Sequence, residues 1–325
     1  MQKLYKILSV DGGGIRGIIP AIILAEIERR SGQPIVALFD LVAGSSTGAI
    51  LAMGLNVPDE QYNPRFTAEE MARLYETEGA TIFSRSMWRT MQSLNNITTV
   101  KYPATGIDSV LDYCFGDLNL SDSLGNVLIT SYEIQRRQPW FFRSSKARHA
   151  TTCDFKMHDV VRASTAAPTY FEPAQIFHPD AESYFALIDG AMQANNPALC
   201  AYVEARDKNP HTHDFMMLSL GTGDTKEPID FEEARTWGLA GWSQHLLDIV
   251  FDAMSSSVDY QIRRLLPICR DGHQHYYRFQ TRLDGASDDL DNVTVKNIDH
   301  LKQLGYDLVE AHDEELDRIV DLLLM

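Results

Sequence analysis

The 325-residue chain predicts an α/β fold, a mostly parallel helix-covered sheet with a helical C-terminal portion. Three observations carry this prediction. Short apolar runs alternate with helical segments through the first two thirds of the chain. Two of the runs, at 6–10 and 38–44, lead through glycine-bearing turns into helices. Beyond Asp230 long helical segments take over, with one strand among them.

Taken in order, residues 6–10 read as a short buried strand. Pro20 sits in the first turn of a helix, where its missing N–H costs nothing, and the helix runs to Gly32, a good stop. LFDLVAG (38–44) is the second strand and SSTGAILAMGL (45–55) the next helix. Residues 56–125 are more polar. There Thr67 and Glu70 form a capping box ahead of MARLYETEG, and GIDSVLDYCFG (106–116) is a short helix. NVLITSYEI (126–134) and PWFFRSS (139–145) read as strands, the aromatics of the latter as core. FALID ends a strand at Asp189, and MMLSLGTG (216–223) is a buried strand closing in a glycine turn. FEEARTWGLAGWSQHLLDIVFDAM (231–254) and residues 296–325 read as helical, with YYRFQTRL (276–283) as the strand between. With no repeat or low-complexity linker, one domain over 1–325 is expected. Its catalytic core would span about 1–225 and its helical portion about 230–325.

Composition narrows the function. A net charge of −16 excludes a general nucleic-acid binder, so neither DNA nor RNA is an expected partner. It also opposes simple electrostatic docking on an anionic membrane. Four cysteines stand far apart, with no C-x-x-C pair, and read as reduced core thiols rather than as a zinc or disulfide framework. The N-terminal apolar run is too short for a signal peptide, which makes the cytoplasm the expected compartment.

The glycine-rich stretch DGGGIRG (11–17) admits two chemistries. Gly12, Gly14 and Gly17 match the G-x-G-x-x-G of a dinucleotide-binding turn, which would make the chain an oxidoreductase. A turn of bare backbone amides also suits an oxyanion. The dinucleotide reading needs an acid at the carboxyl end of the second strand, but Asp40 precedes that strand's core. What ends the strand is Gly44-Ser45-Ser46-Thr47-Gly48. This is a G-x-S-x-G at a strand-to-helix junction, where a serine on a sharp turn becomes a nucleophile and the helix start favours developing negative charge. A base is then required. Asp189, at a strand end before Gly190, is one candidate. Histidine is the usual base, yet none of those following Asp189 stands at an obvious strand-end loop. HTH (211–213) and HQH (273–275) read as solvated loop residues rather than metal pairs.

Together these motifs resemble the patatin-like phospholipases. DGGGIRG resembles the family's oxyanion loop, GSSTG (44–48) its nucleophile elbow and DGA (189–191) its catalytic aspartate motif. ASTAAPTYFEP (163–173), NNP (195–197), LSLGTG (218–223) and the late YYRFQTRL region agree in the same order along the chain. The resemblance implies a three-layer α/β/α fold and a dyad of Ser46 and Asp189 with no catalytic histidine. It implies oxyanion donors at Gly12, Gly13 and Gly14, with Arg16 supporting that loop. It implies no metal and no cofactor.

The expected activity is hydrolysis of fatty-acyl esters of membrane glycerolipids. This brings transient contact with a membrane surface, at the inner face for a cytoplasmic protein. IFSRSMWRTM (82–91), with Phe83, Met87, Trp88 and Met91, is a candidate interfacial or lid segment. The resemblance points to the bacterial cytoplasmic branch. Some members there are effectors switched on by cyclic oligonucleotides in antiviral signalling, so a cyclic dinucleotide activator and a homodimer join the expected partners.

Overall fold

The structure, a computed structural model, describes residues 4–83, 100–179, 182–224 and 228–325. Its eight strands are β1 (Tyr5–Val10), β2 (Leu41–Gly44), β3 (Val127–Glu133), β4 (Gln138–Arg143), β5 (Ala174–Phe177), β6 (Tyr184–Asp189), β7 (Phe215–Leu220) and β8 (His275–Phe279). They form one mixed sheet in the order β5-β6-β3-β2-β1-β7-β8, with β4 paired to β3 off that path. From β8 to β3 the pairs are parallel, whereas β4, β6 and β5 add antiparallel strands beyond.

Strand alternation divides the core between two faces. Leu8, Val10, Val42, Ile129 and Leu218 point into one apolar cluster with the helices Ile18–Ser31, Thr47–Gly54 and Met157–Ser164. Ile7, Ala43, Leu128 and Met217 point the other way. They meet Ala201 and Ala205 of the helix Ala198–Lys208 and Ile262 of the helix Leu239–Leu265. Helices therefore cover both faces of the sheet, in the three layers that the family resemblance implies. Strands buried on both sides explain the near-continuous apolar runs of β1 and β7.

The register around β3 sets up the site. β2 pairs with β3 from Val42↔Val127 to Gly44↔Ile129, and β6 pairs with it from Ser131↔Asp189 to Glu133↔Leu187. β4 occupies β3's other edge. So β2 and β6 lie end to end along one edge of β3, pointing toward each other. Their carboxyl ends, Gly44 and Asp189, flank Thr130.

Several boundaries differ from the sequence reading. LFDLVAG is not all strand. Ile35–Leu38 forms a helical turn after Pro34, which leaves β2 only four residues long. The segment after Asp230 breaks at Gly238 into a turn at Phe231–Ala234 and the helix Leu239–Leu265. β5 and the helix Met157–Ser164, four and eight residues long, are elements that the sequence reading did not include. The helix Ile18–Ser31 ends at Gly32 with φ 63°, and the Thr67/Glu70 capping box forms as its spacing predicts. Phe142 is buried and Trp140 packs on Phe185 at 4.3 Å between ring centroids, in line with a core role for those aromatics. The candidate lid at 82–91 lies outside the described residues from 84 onward.

Candidate active site

Four strands deliver the candidate residues at their carboxyl ends, where ligands of parallel α/β sheets gather. β1 leads into Gly12–Gly14, β2 into Ser46 and β7 into Thr222, while Asp189 is the last residue of β6.

Ser46 occupies the turn between β2 and the helix Thr47–Gly54, with φ 52° and ψ −121°, a conformation that side-chain-bearing residues rarely adopt. The flanking glycines make that turn possible. A Cβ on Gly44 would lie 2.2 Å from the Gly48 carbonyl oxygen, and one on Gly48 would lie 2.2 Å from that of Val10. The Ser46 hydroxyl donates to Asp189 Oδ2 at 2.7 Å, and its backbone N–H donates to Ser164 Oγ at 3.0 Å. Asp189 Oδ1 accepts from the Ala191 N–H at 2.8 Å, which fixes the carboxylate from its far side.

Asp189 is 2% exposed. Loss of solvation pushes its carboxyl up to about 7, although the hydrogen bonds from Ala191 and Ser46 pull the other way. A carboxylate poised near neutrality can take a proton at physiological pH.

The glycine loop lies against this pair, since a Cβ on Gly12 would come within 3.1 Å of Ser46 Cβ. The Gly12 N–H donates to the Asn195 carbonyl at 3.0 Å and is therefore committed. Among the described residues the N–H groups of Gly13 and Gly14 have no partner. The three expected oxyanion donors thus narrow to two. Arg16 donates through Nε to the Gly13 carbonyl at 3.1 Å, and its own N–H reaches the same oxygen at 3.2 Å. Arg278 donates to both carboxylate oxygens of Asp11, at 3.0 and 2.6 Å, which pins the start of the loop. Sequence reasoning missed Ser164, Asn195, Thr222 and Arg278 as individual contributors. Their only signal was membership of the blocks ASTAAPTYFEP, NNP, LSLGTG and YYRFQTRL.

Two spaces meet at Ser46. One is an apolar cleft walled by Ile50, Ile82, Phe83, Ile107 and Phe171. The other is a larger polar cleft bounded by Arg16, Thr222, Asp248, Asp252 and Asp288. An ester lying across the junction would set its acyl chain in the first and its alcohol portion in the second.

The other candidates fall away on position. Asp40 accepts from the Lys6 N–H at 2.9 Å, at the start of β1 and so at the opposite end of the sheet from the glycine loop. No acid ends β2, and a bound dinucleotide would lack its ribose partner. No group of histidine, cysteine and acidic residues among those described could hold a metal ion. His275 departs from the solvated-loop expectation, being buried at the head of β8 with Nε2 2.7 Å from Asp271 Oδ2. The four cysteines are free thiols. No helix among the described residues is long and apolar enough to cross a membrane.

Comparison with known proteins agrees with this geometry. Residues 8–202 match the family described as Patatin-like phospholipase. Patatin-like protein 2 of Oryza sativa subsp. indica is 31% identical over 350 aligned positions, covering 97% of this chain and 86% of that protein. Patatin-like protein 2 of Arabidopsis thaliana is 32% identical over 342, covering 95% and 83%. Patatin-T5 of Solanum tuberosum is 30% identical over 358, covering 99% and 90%. These relatives are plant proteins, whereas the sequence resemblance pointed to the bacterial branch. Among solved structures, the crystal structure of VipD from Legionella pneumophila aligns with a TM-score of 0.45 at 13% identity, over 98% of this chain and 67% of that one. The family match and the relatives have one meaning: the chain belongs to the patatin-like phospholipase family, whose members are lipid acyl hydrolases.

Proposed function

We propose that the chain hydrolyses fatty-acyl esters of glycerolipids with Ser46 as nucleophile and Asp189 as its base. The observation that carries this is the 2.7 Å hydrogen bond from a serine in a strained elbow to a buried aspartate. Ser46 Oγ attacks the ester carbonyl as its proton passes to Asp189 Oδ2. The developing oxyanion takes the free amides of Gly13 and Gly14, each worth on the order of 3 kcal/mol when well placed. The alcohol departs with the proton held by Asp189. Water, deprotonated by the same carboxylate, then releases the fatty acid and restores Ser46.

Contact with a lipid surface belongs to this reading. The helix Leu239–Leu265 supports it, because it lines the polar cleft with Asp248, Phe251, Asp252 and Ser255 yet turns Leu239, Trp242, Leu246 and Val250 to solvent. Those four stand at helical spacing on the face opposite the cleft.

Fatty-acid release from mixed phospholipid vesicles, measured with and without a panel of cyclic dinucleotides, tests the proposal. Wild type is expected to release fatty acid and Ser46→Ala to lose the activity. Near-full activity of Ser46→Ala would overturn the mechanism. Release only in the presence of a nucleotide would place the same chemistry under the switch that the sequence reading raised.

A further inference from the structure

We infer that the Thr222 hydroxyl is a positioning group that aims the Gly13 amide at the reacting oxygen. The inference rests on the serine–aspartate reading above. In a planar trans peptide the C=O and N–H of one unit point in opposite directions. Thr222 Oγ1 donates to the Gly12 carbonyl at 2.6 Å, so the Gly13 N–H of the same unit faces away from Thr222. That amide has no partner among the described residues.

Thr222 is itself held firmly. It is 3% exposed, it bounds the polar cleft beside Ser46, and its neighbours are tied to the strand end of β8. The Gly221 N–H donates to the Phe279 carbonyl at 2.8 Å, the Gly223 N–H to Gln280 Oε1 at 2.8 Å and the Asp224 N–H to the Thr281 carbonyl at 2.9 Å. Steric fit points the same way. A Cβ on Gly13 would stand 2.2 Å from Thr222 Oγ1, so the bare glycine is what lets the hydroxyl reach the loop. Arg16 does for the next unit, through the Gly13 carbonyl, what Thr222 does for this one. Two consecutive peptides are thus locked from behind, the first by Thr222 and the second by the side chain and backbone N–H of Arg16, with both free N–H groups left to the cleft.

The test is steady-state kinetics on a soluble p-nitrophenyl ester, with thermal unfolding in parallel. Thr222→Val keeps the branched shape but leaves the Gly12 carbonyl without its donor. Its kcat is expected to fall about 10- to 100-fold with KM within about twofold, a loss smaller than that of a whole oxyanion donor. Thr222→Ser, which retains the hydroxyl, is expected to recover most of the rate. If Thr222→Val gives no cooperative unfolding transition, Thr222→Ala takes its place with the same expectation. Wild-type kcat in the hydroxyl-free variant overturns the inference, as does a pure KM effect or an equal loss in Thr222→Ser. Ser46→Ala is run alongside. Activity retained there sinks the underlying mechanism, whereas an inactive Ser46→Ala beside a fully active Thr222→Val sinks only the role of Thr222.

Discussion

Asp189 concentrates the energetic cost of the site. Its carboxyl, raised to about 7 by burial, is easier to protonate in the folded chain than in the unfolded one. The sign follows from that difference. Below the unfolded value near 4 the group is neutral in both states and costs nothing. Between that value and about 7 the unfolded chain loses its proton first, so folding stability falls as pH rises. Above about 7 the destabilisation is constant, on the order of 4 kcal/mol for a shift of about three pH units. Asp189→Asn is therefore expected to be inactive yet more stable than wild type at pH 8, with the gain vanishing toward pH 4. Melting temperatures across that range check it, and a variant equally or less stable at pH 8 contradicts it. Wild-type kcat/KM is expected to fall below about pH 7 as Asp189 takes up its proton and ceases to act as a base.

Among the elements, those with local causes were legible. Pro20, Gly32 and the Thr67/Glu70 box act over a turn or less, and their helices begin and end where chain chemistry puts them. The elbow is legible for the same reason, since the crowding of Gly44 and Gly48 is intrinsic to so sharp a turn. β5 is not, because its four residues pair only with β6 and owe their conformation to that partner. Of the helix Leu239–Leu265 the sequence reading foresaw the part up to residue 254, but neither its continuation to Leu265 nor its inverted character, with aspartates on the cleft side and apolar residues outward. That character yields a prediction about access to substrate. Leu246, 52% exposed, contacts water in the free protein, so Leu246→Glu is expected to leave hydrolysis of a soluble ester unchanged. On zwitterionic vesicles the same variant is expected to lose several-fold in rate, since it sets a charge against the apolar membrane interior. Equal rates for variant and wild type on vesicles would remove this face from the account.

At the scale of the whole molecule, the site is a product of topology. Ser46 and Asp189 stand 143 residues apart and touch because β2 and β6 meet head to head along one edge of β3. Sequence could mark each as a strand-end residue, but not their contact, which depends on an antiparallel β6 in a sheet expected to be mostly parallel. Thr222 was less visible still. Its part lies in one hydrogen bond to a carbonyl 210 residues away, and nothing in LSLGTG itself reveals a partner. Gly12 shows the converse, for its place in the motif suggests a donor while the fold gives its N–H to Asn195.

The central claim is that Ser46, activated by Asp189, is the atom that attacks. Treating the protein with a fluorophosphonate and mapping the adduct by peptide mass spectrometry tests it most directly. A single adduct on Ser46 is expected in wild type, formed far more slowly in Asp189→Asn and absent from Ser46→Ala. An adduct on another residue, or undiminished labelling of Ser46→Ala, would contradict it.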